Sequence, residues 1–180
     1  MRIIAGKHKG LQLNTFDYGN IRPTIDRIRE NIFNIIQFRV SGSNVLDLFG
    51  GTGAVSLEFV SRGAMSVITC DNNKDSISLI KKNFNKAKEM PNLYTGDYLA
   101  NLEKLKDNKF DFIFLDPPFD SVFGKNSLEF IAKNNMLNDN GLIIFEHLAS
   151  KKINIPNDFE IKNERKYGTI TVSFIGKNND

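Results

Sequence analysis

The stretch VLDLFGGTGA, residues 45–54, changes character half-way along. Its first half is apolar enough for a buried strand. Its second half brings Gly50, Gly51 and Gly53 together before a helical pattern begins at residue 54. Glycines let such a turn be tight and let the backbone approach a ligand closely. The pattern departs from the dinucleotide fingerprint: Gly51 and Gly53 match its first two glycines, but Ser56 stands at the third place. Taken alone, the loop also fits a plain tight turn between a strand and a helix.

The segments downstream keep alternating. NVLDLF (44–49) reads as a strand and 54–63 as a helix. SVITCD (66–71) is the next strand, followed by an amphipathic helix over 74–88 with Ile77, Ile80 and Phe84 on one side. NLYTGD (92–97) is a short strand, 98–105 a helix, FDFIFLD (110–116) a strand, 127–136 a helix and GLIIFEH (141–147) a strand. Residues 159–176 hold two strands around a tight Tyr167-Gly168 turn. Five strand units separated by helices predict a mostly parallel sheet covered on both faces. The last two strands lack a crossover helix and must pair antiparallel. The expectation is therefore an α/β, Rossmann-like fold with a seven-stranded, mostly parallel sheet and an antiparallel C-terminal hairpin.

Upstream, MRIIAGKHKGLQL reads as a small β-hairpin with a basic tip. RPTIDRIRENIFNIIQF places Ile25, Ile28, Ile32, Ile35 and Ile36 at helical spacing, with Pro23, Thr24 and Asp26 suiting its first turn. Charge separates this part from the rest. Residues 1–40 carry seven Lys/Arg against three acids, a net of +4, whereas residues 41–180 carry 17 against 18. A concentrated basic segment is the footprint of a phosphate-backbone binder. The chain is thus read as a basic N-terminal extension, 1–40, on a catalytic domain, 41–180. The single cysteine, Cys70, excludes a disulfide framework and a cysteine-based zinc site and fits a reducing cytoplasm. No apolar run reaches the ~18 residues of a membrane span, and no secretory signal is read at the N-terminus.

In an open α/β sheet, ligands sit beyond the carboxyl ends of the strands. Asp47 lies just ahead of the glycines, Asp71 ends the second strand 20 residues beyond Gly51, and Asp97 ends the third. Acids at a buried edge are costly unless they bind something. Asp71 suits ribose hydroxyls. Asp47 suits a ligand of cationic character, such as S-adenosylmethionine, although a nicotinamide dinucleotide stays possible on these residues alone.

The fourth parallel strand ends in Asp116-Pro117-Pro118-Phe119. Residues before proline are held extended, and neither proline carries an N–H. The segment therefore offers a carboxylate and a rigid carbonyl, both acceptors, with an aromatic ring alongside. That arrangement suits the exocyclic amine of a nucleobase. Asp116 and the Pro117 carbonyl accept its two N–H bonds while Phe119 stacks on the ring. Two such acceptors can aim the nitrogen lone pair at a methyl group held in line. No metal is needed.

MRIIAGKHKGLQL, RPTIDRIRENIFNII, VLDLFGGTGAVSLEFVSRGA, DFIFLDPPF, GLIIFEH and RKYGTITVSF resemble successive blocks of the RsmD family, covering nearly the whole chain in order. The resemblance implies a class I S-adenosylmethionine-dependent methyltransferase acting on N2 of guanine-966 in 16S ribosomal RNA, within an assembling or assembled 30S subunit in the cytoplasm. It puts Asp47, Gly51 and Gly53 at the methionine end of the cofactor, Asp71 at its ribose and Asp97 near its adenine. Phe49, Gly50, Asn72 and Tyr98 complete the cofactor-binding set. It makes Asp116, Pro117, Pro118 and Phe119 the catalytic loop. It turns Arg2, Lys7, His8, Lys9, Arg22, Arg27 and Arg29 toward RNA. Three positions depart from the family form: Gly50 and Thr52 stand where alanine and serine are usual, and Phe119 where tyrosine is common.

Other residues read as structural. His147 is taken as a hydrogen-bonded support, Cys70 as a core thiol, Lys81-Lys82 as a solvated face and the hairpin-tip His8 as mostly solvated. The alternatives to guanine-N2 transfer are an adenine-N6 methyltransferase on RNA or DNA, a non-catalytic RNA-binding protein and a nicotinamide-dependent oxidoreductase. The last leaves the Asp-Pro-Pro-Phe segment unexplained.

Overall fold

A computed structural model describes residues 1–17 and 22–179. Helix α1 (Arg22–Ile36) ends in a 3₁₀ turn over Gln37–Arg39. The alternating part follows as β1 (Asn44–Asp47), α2 (Ala54–Ser61), β2 (Ser66–Asp71), α3 (Lys74–Lys86), β3 (Asn92–Thr95), α4 (Tyr98–Leu105), β4 (Phe110–Leu115), α5 (Phe123–Lys133) and β5 (Leu137–Leu148). β6 (Phe159–Tyr167) and β7 (Ile170–Lys177) close the chain. The seven strands lie in the order β3-β2-β1-β4-β5-β7-β6. β1 pairs in parallel with β2 and β4, β2 with β3, and β4 with β5; β7 runs antiparallel to both β5 and β6. The chain leaves β1 toward one edge and returns to β4 on the other side of it. The carboxyl ends of β1 and β4 therefore flank a switch point, where open sheets bind ligands.

Both sheet faces are covered, as the apolar strands require. On one face Leu46, Ile113, Leu115 and Ile143 pack with Leu102, Leu105, Leu128 and Ile131 of α4 and α5. On the other, Val45, Phe112, Phe114 and Ile144 pack with Ile28, Ile32, Phe33 and Ile36 of α1 and with Phe59 of α2. A third cluster joins Met1, Ile3 and Leu13 to Leu57, Ile80 and Phe84. The N-terminal residues are thereby laid across α2 and α3.

Several expected element ends fall about two residues short, and three differences are larger. Helix α5 starts at Phe123, ahead of the expected 127, and ends at Lys133, before Asn135 turns left-handed (φ 49°). β5 starts at Leu137, because its first residues already pair with Phe110 across an irregular step in the register. The N-terminal hairpin is narrower than a two-stranded ribbon. It has one bridge, Arg2 with Gln12, supported by Ile3 N–H to Leu11 O (3.0 Å) and Gly10 N–H to Ile3 O (2.9 Å). Its turn is pressed against α2: a Cβ on Gly6, which sits at φ +83°, would fall 1.9 Å from the Ser61 carbonyl oxygen.

Candidate active site

The glycine loop is held from below. Gly50 N–H donates to Cys70 O (2.8 Å), and Gly53 N–H to Gly50 O (2.8 Å). Gly53 sits at φ 77° and opens α2. A Cβ on Gly50 would lie 2.5 Å from Thr69 Cγ2, so packing alone excludes a larger residue against this Thr69. Gly51, at φ 57°, turns its N–H to Asp71 Oδ2 (2.9 Å), and Asp71 Oδ1 accepts from Asn73 N–H (2.8 Å). Asp71 thus braces the loop as well as facing the space above it.

That space is a cleft of about 690 Å³, lined by Phe49, Gly51, Asp71, Asn72, Tyr98, Asp116, Pro117, Pro118 and Phe119, all expected at the site. Phe16 and Phe123 line it too, and sequence reasoning missed both. Tyr98 is fixed by packing: its ring centroid lies 5.6 Å from Phe49 and 4.5 Å from Phe123, and its Oη accepts from Asn126 Nδ2 (3.1 Å). Cavities of this size hold small cofactors.

Two expected cofactor acids stand elsewhere. Asp97 is exposed and caps α4, accepting from Leu99 N–H (2.9 Å) and Ala100 N–H (3.2 Å); its neighbours Gly96 and Tyr98 line the cleft instead. Asp47 is 1% exposed and lies behind the glycine loop. Its Oδ2 accepts from Ser56 Oγ (2.6 Å), which in turn accepts from Thr69 Oγ1 (2.7 Å), while Oδ1 has no partner. Burial pushes the Asp47 carboxyl up to about 7 against the Ser56 hydrogen bond, with the charges of Asp116 and Asp71 adding to the rise. Burial also pushes the Cys70 thiol up to about 12, which leaves it a core thiol.

The Asp-Pro-Pro-Phe loop closes the other wall. Asp116 is exposed on the cleft, and the protein packed around its carboxyl pushes it up to about 6. Pro118 O accepts from Ser121 N–H (3.0 Å) and Ser121 Oγ (2.6 Å), and Phe119 O from Lys151 Nζ (3.0 Å). Among the described residues no donor reaches the Pro117 carbonyl or the Asp116 carboxyl. The two acceptors expected to hold an amine are thus the two left open. His147 is the expected support, its Nε2 2.9 Å from Ser173 Oγ.

The basic residues divide. Arg2, Lys9 and Arg27 are exposed. Lys7 Nζ and His8 Nε2 both pair with Glu89 (2.5 and 2.8 Å), so His8 is an anchored residue rather than a solvated tip. Arg29 corrects the expectation of a surface contact. It is 5% exposed, its Nη2 donates to Arg2 O (2.6 Å), and burial lowers its pKa. The Arg22 side chain lies outside the described residues. Among the described residues, no cluster of His, Cys, Asp or Glu is placed to hold a metal ion, and no helix is long and apolar enough to cross a membrane.

Comparison with known proteins agrees with this architecture. Ribosomal RNA small subunit methyltransferase D of Buchnera aphidicola (subsp. Baizongia pistaciae) is 35% identical over 171 residues, spanning 92% of this chain and 86% of that protein. The protein of the same name from Haemophilus influenzae is 30% identical over 177 residues, spanning 95% and 91%. The solved structure of yhhF from Escherichia coli superposes with a TM-score of 0.87 at 25% identity, covering 100% of this chain and 99% of that one. The model of the family described as conserved hypothetical protein 95 matches residues 1–176. Sequence and fold agree along the whole length, and the chain belongs to this family, the RsmD family.

Proposed function

We propose that this protein transfers a methyl group from S-adenosylmethionine to the N2 amine of a guanine in small-subunit ribosomal RNA. One observation carries the reading. At the mouth of a glycine-loop cleft, Asp116 and the Pro117 carbonyl stand side by side as acceptors that no donor reaches among the described residues. The names of the curated relatives support ribosomal RNA as the substrate class and methylation as the reaction.

The cleft fits the donor. Asp71 and Asn72 present polar groups for ribose hydroxyls, Phe49 and Tyr98 give flat apolar contact for adenine, and a Cβ on Gly51 would meet nothing within 4 Å. The unpartnered Asp47 Oδ1 contributes negative potential behind the loop, suiting a cationic ligand. When bound, S-adenosylmethionine supplies an electrophilic methyl on a sulfonium and leaves as S-adenosylhomocysteine. Asp116 and the Pro117 carbonyl accept the two N2–H bonds, turning the nitrogen lone pair toward the methyl carbon. The N–CH3 bond forms as the S–CH3 bond breaks, and its electron pair returns to sulfur. Nitrogen then sheds one proton, which the Asp116 carboxylate is placed to accept. Phe119, about one-third exposed, offers the base a stacking face. Exposed Arg2, Lys9 and Arg27 on the 1–40 extension supply charge for the RNA backbone.

The test is methyl transfer from labelled S-adenosylmethionine to 16S RNA and to 30S subunits from a strain lacking the activity, with the modified nucleoside identified by mass. The expected product is N2-methylguanosine at one position. N6-methyladenosine would overturn the base assignment, and no transfer to either substrate would overturn the reading.

A further inference from the structure

The strand register sets a second acid beside the reacting loop. β4 and β5 run parallel with Leu115 opposite Phe145. The next residues along, Asp116 just past β4 and Glu146 within β5, are therefore lateral neighbours, roughly 5 Å apart at the backbone and on the same face of the sheet. Glu146 also borders a hollow of about 150 Å³ on the outer side of the loop, together with Pro117, Pro118, Phe119 and Phe145. The two carboxyls interact: burial drives Glu146 well above the usual carboxyl range, and the charges of Asp116 and Asp47 drive it further. The polar side chains next along and across the strands bond elsewhere. His147 pairs with Ser173, and Ser173 Oγ donates to Glu164 (2.8 Å). Among the described residues the Glu146 carboxyl makes no hydrogen bond and no ion pair. A half-buried carboxyl without a partner is costly, and a donor on the substrate would relieve it.

Guanine carries such a donor next to the reacting amine. Its N1–H is separated from N2 only by C2. Adenine has a bare lone pair at N1, separated from its N6 amine only by C6. A carboxylate beside Asp116, held ionised by the N1–H it accepts, therefore distinguishes the two bases where the catalytic loop cannot. We propose that Glu146 is the guanine-selecting residue of this site, its carboxyl oxygen accepting N1–H of the base whose N2 amine Asp116 and Pro117 hold. The inference rests on the methyl-transfer reading above and adds the means of base discrimination. It also separates the roles of two adjacent acids: Asp116 touches the reacting nitrogen, and Glu146 touches the ring nitrogen that identifies the base.

The test replaces the target guanine with 2-aminopurine in whichever RNA or particle the transfer assay identifies as substrate. 2-Aminopurine keeps the N2 amine and lacks N1–H. The wild-type enzyme is expected to favour guanine by roughly 10- to 100-fold in kcat/KM, the range for losing one hydrogen bond to a buried polar group. Glu146→Gln, which offers N1 a donor as well as an acceptor, is expected to lower transfer to guanine and leave 2-aminopurine unchanged or improved, so that the preference shrinks to within a few fold. Glu146→Ala should erase the preference by lowering the guanine rate alone. Equal transfer to both bases by the wild type would overturn the inference. So would an equal loss on both bases in both variants, since that is what a merely structural carboxyl gives. Failure of the wild type to modify guanine at all would instead overturn the underlying methyl-transfer reading.

Discussion

The substitution Asp116→Asn keeps the size of the side chain and one acceptor and removes the charge. Since Asp116 lines the cleft beside an unoccupied acceptor at Pro117 and bonds to nothing among the described residues, its loss is expected to fall on the chemical step. We expect kcat to drop by roughly 10²- to 10³-fold. Binding of S-adenosylmethionine, measured by titration calorimetry, should stay within a few fold. Full activity in this variant would sink the mechanism. The carboxylate must be ionised to accept, and its pKa is raised to about 6, so kcat/KM should rise with pH through about 6 and then level off. That limb should vanish from whatever activity Asp116→Asn retains. The place of Asp116 on the cleft was legible because a strand end gains nothing from an acid and two prolines. Asp97 carries a second use that the sequence reading did not name. Position at a strand end suggested a ligand, yet an aspartate directly before the helix at Tyr98 is also an N-cap, and the two backbone N–H groups it accepts show that use. Glu146 was not placed in the site, because only the pairing of Leu115 with Phe145 brings it level with Asp116.

Helix α2 is buried on nearly every side, and yet it contains a glutamate. Glu58 is fully buried, accepting from Ile4 N–H (2.9 Å), Ala5 N–H (3.1 Å) and Arg62 Nε (2.7 Å). Ser61 adds to the same seam, its carbonyl accepting from Lys7 N–H (2.9 Å) and its Oγ from His8 N–H (2.9 Å). Asn83 of α3 fastens Asn14 from both sides, at 2.8 and 2.9 Å. The N-terminal segment is thus attached through backbone hydrogen bonds to helix side chains. Removing the glutamate strands a buried guanidinium and two N–H groups. Glu58→Ala is therefore expected to destabilise the fold by about 3–5 kcal/mol in urea unfolding. It should also raise hydrogen exchange at residues 3–11 before other segments. Unchanged exchange there would show that the apolar contacts of Met1, Ile3 and Leu13 hold the segment without Glu58. The helices and strands themselves were legible from period and punctuation. Helix α5 was placed late because Gly124 weakens its first turn, and the reason for that glycine lies outside the helix. A Cβ there would fall 2.4 Å from the Phe145 ring of β5.

Across the whole molecule, the sequence located the positive charge and could not say which of it is available. Lys7 and His8 pair with Glu89, although Lys7 stays exposed, and Arg29 is internal, whereas Arg2, Lys9 and Arg27 are exposed. Lys9→Gln and Arg27→Gln should each weaken RNA binding and lower its salt slope by about 1, whereas an unchanged slope would remove that residue from the interface. The negative charge leads to a second molecular property. Asp47 titrates at about 7 and Asp116 at about 6 in the fold, against 3.8 for a free aspartate, and Glu146 is raised as well. Each therefore binds its proton more tightly folded than unfolded. The stability they contribute is fully present below about 3.8 and is lost as pH rises through 6 to 7. Glu89 acts oppositely, since Lys7 and His8 lower its pKa, but its effect falls below the range in which the three acids titrate. The melting temperature should accordingly fall between pH 5.5 and pH 8. Asp47→Asn keeps an acceptor for Ser56 Oγ and removes the buried charge, so it should flatten that fall. A cationic ligand in the cleft favours the ionised carboxyls, so S-adenosylmethionine should raise the melting temperature more at pH 8 than at pH 5.5. Thermal scans of both proteins at the two pH values, with and without the donor, measure all three effects. A wild-type melting temperature that climbs from pH 5.5 to 8 would mean that these acids are better solvated or paired than their positions in the cleft and core imply.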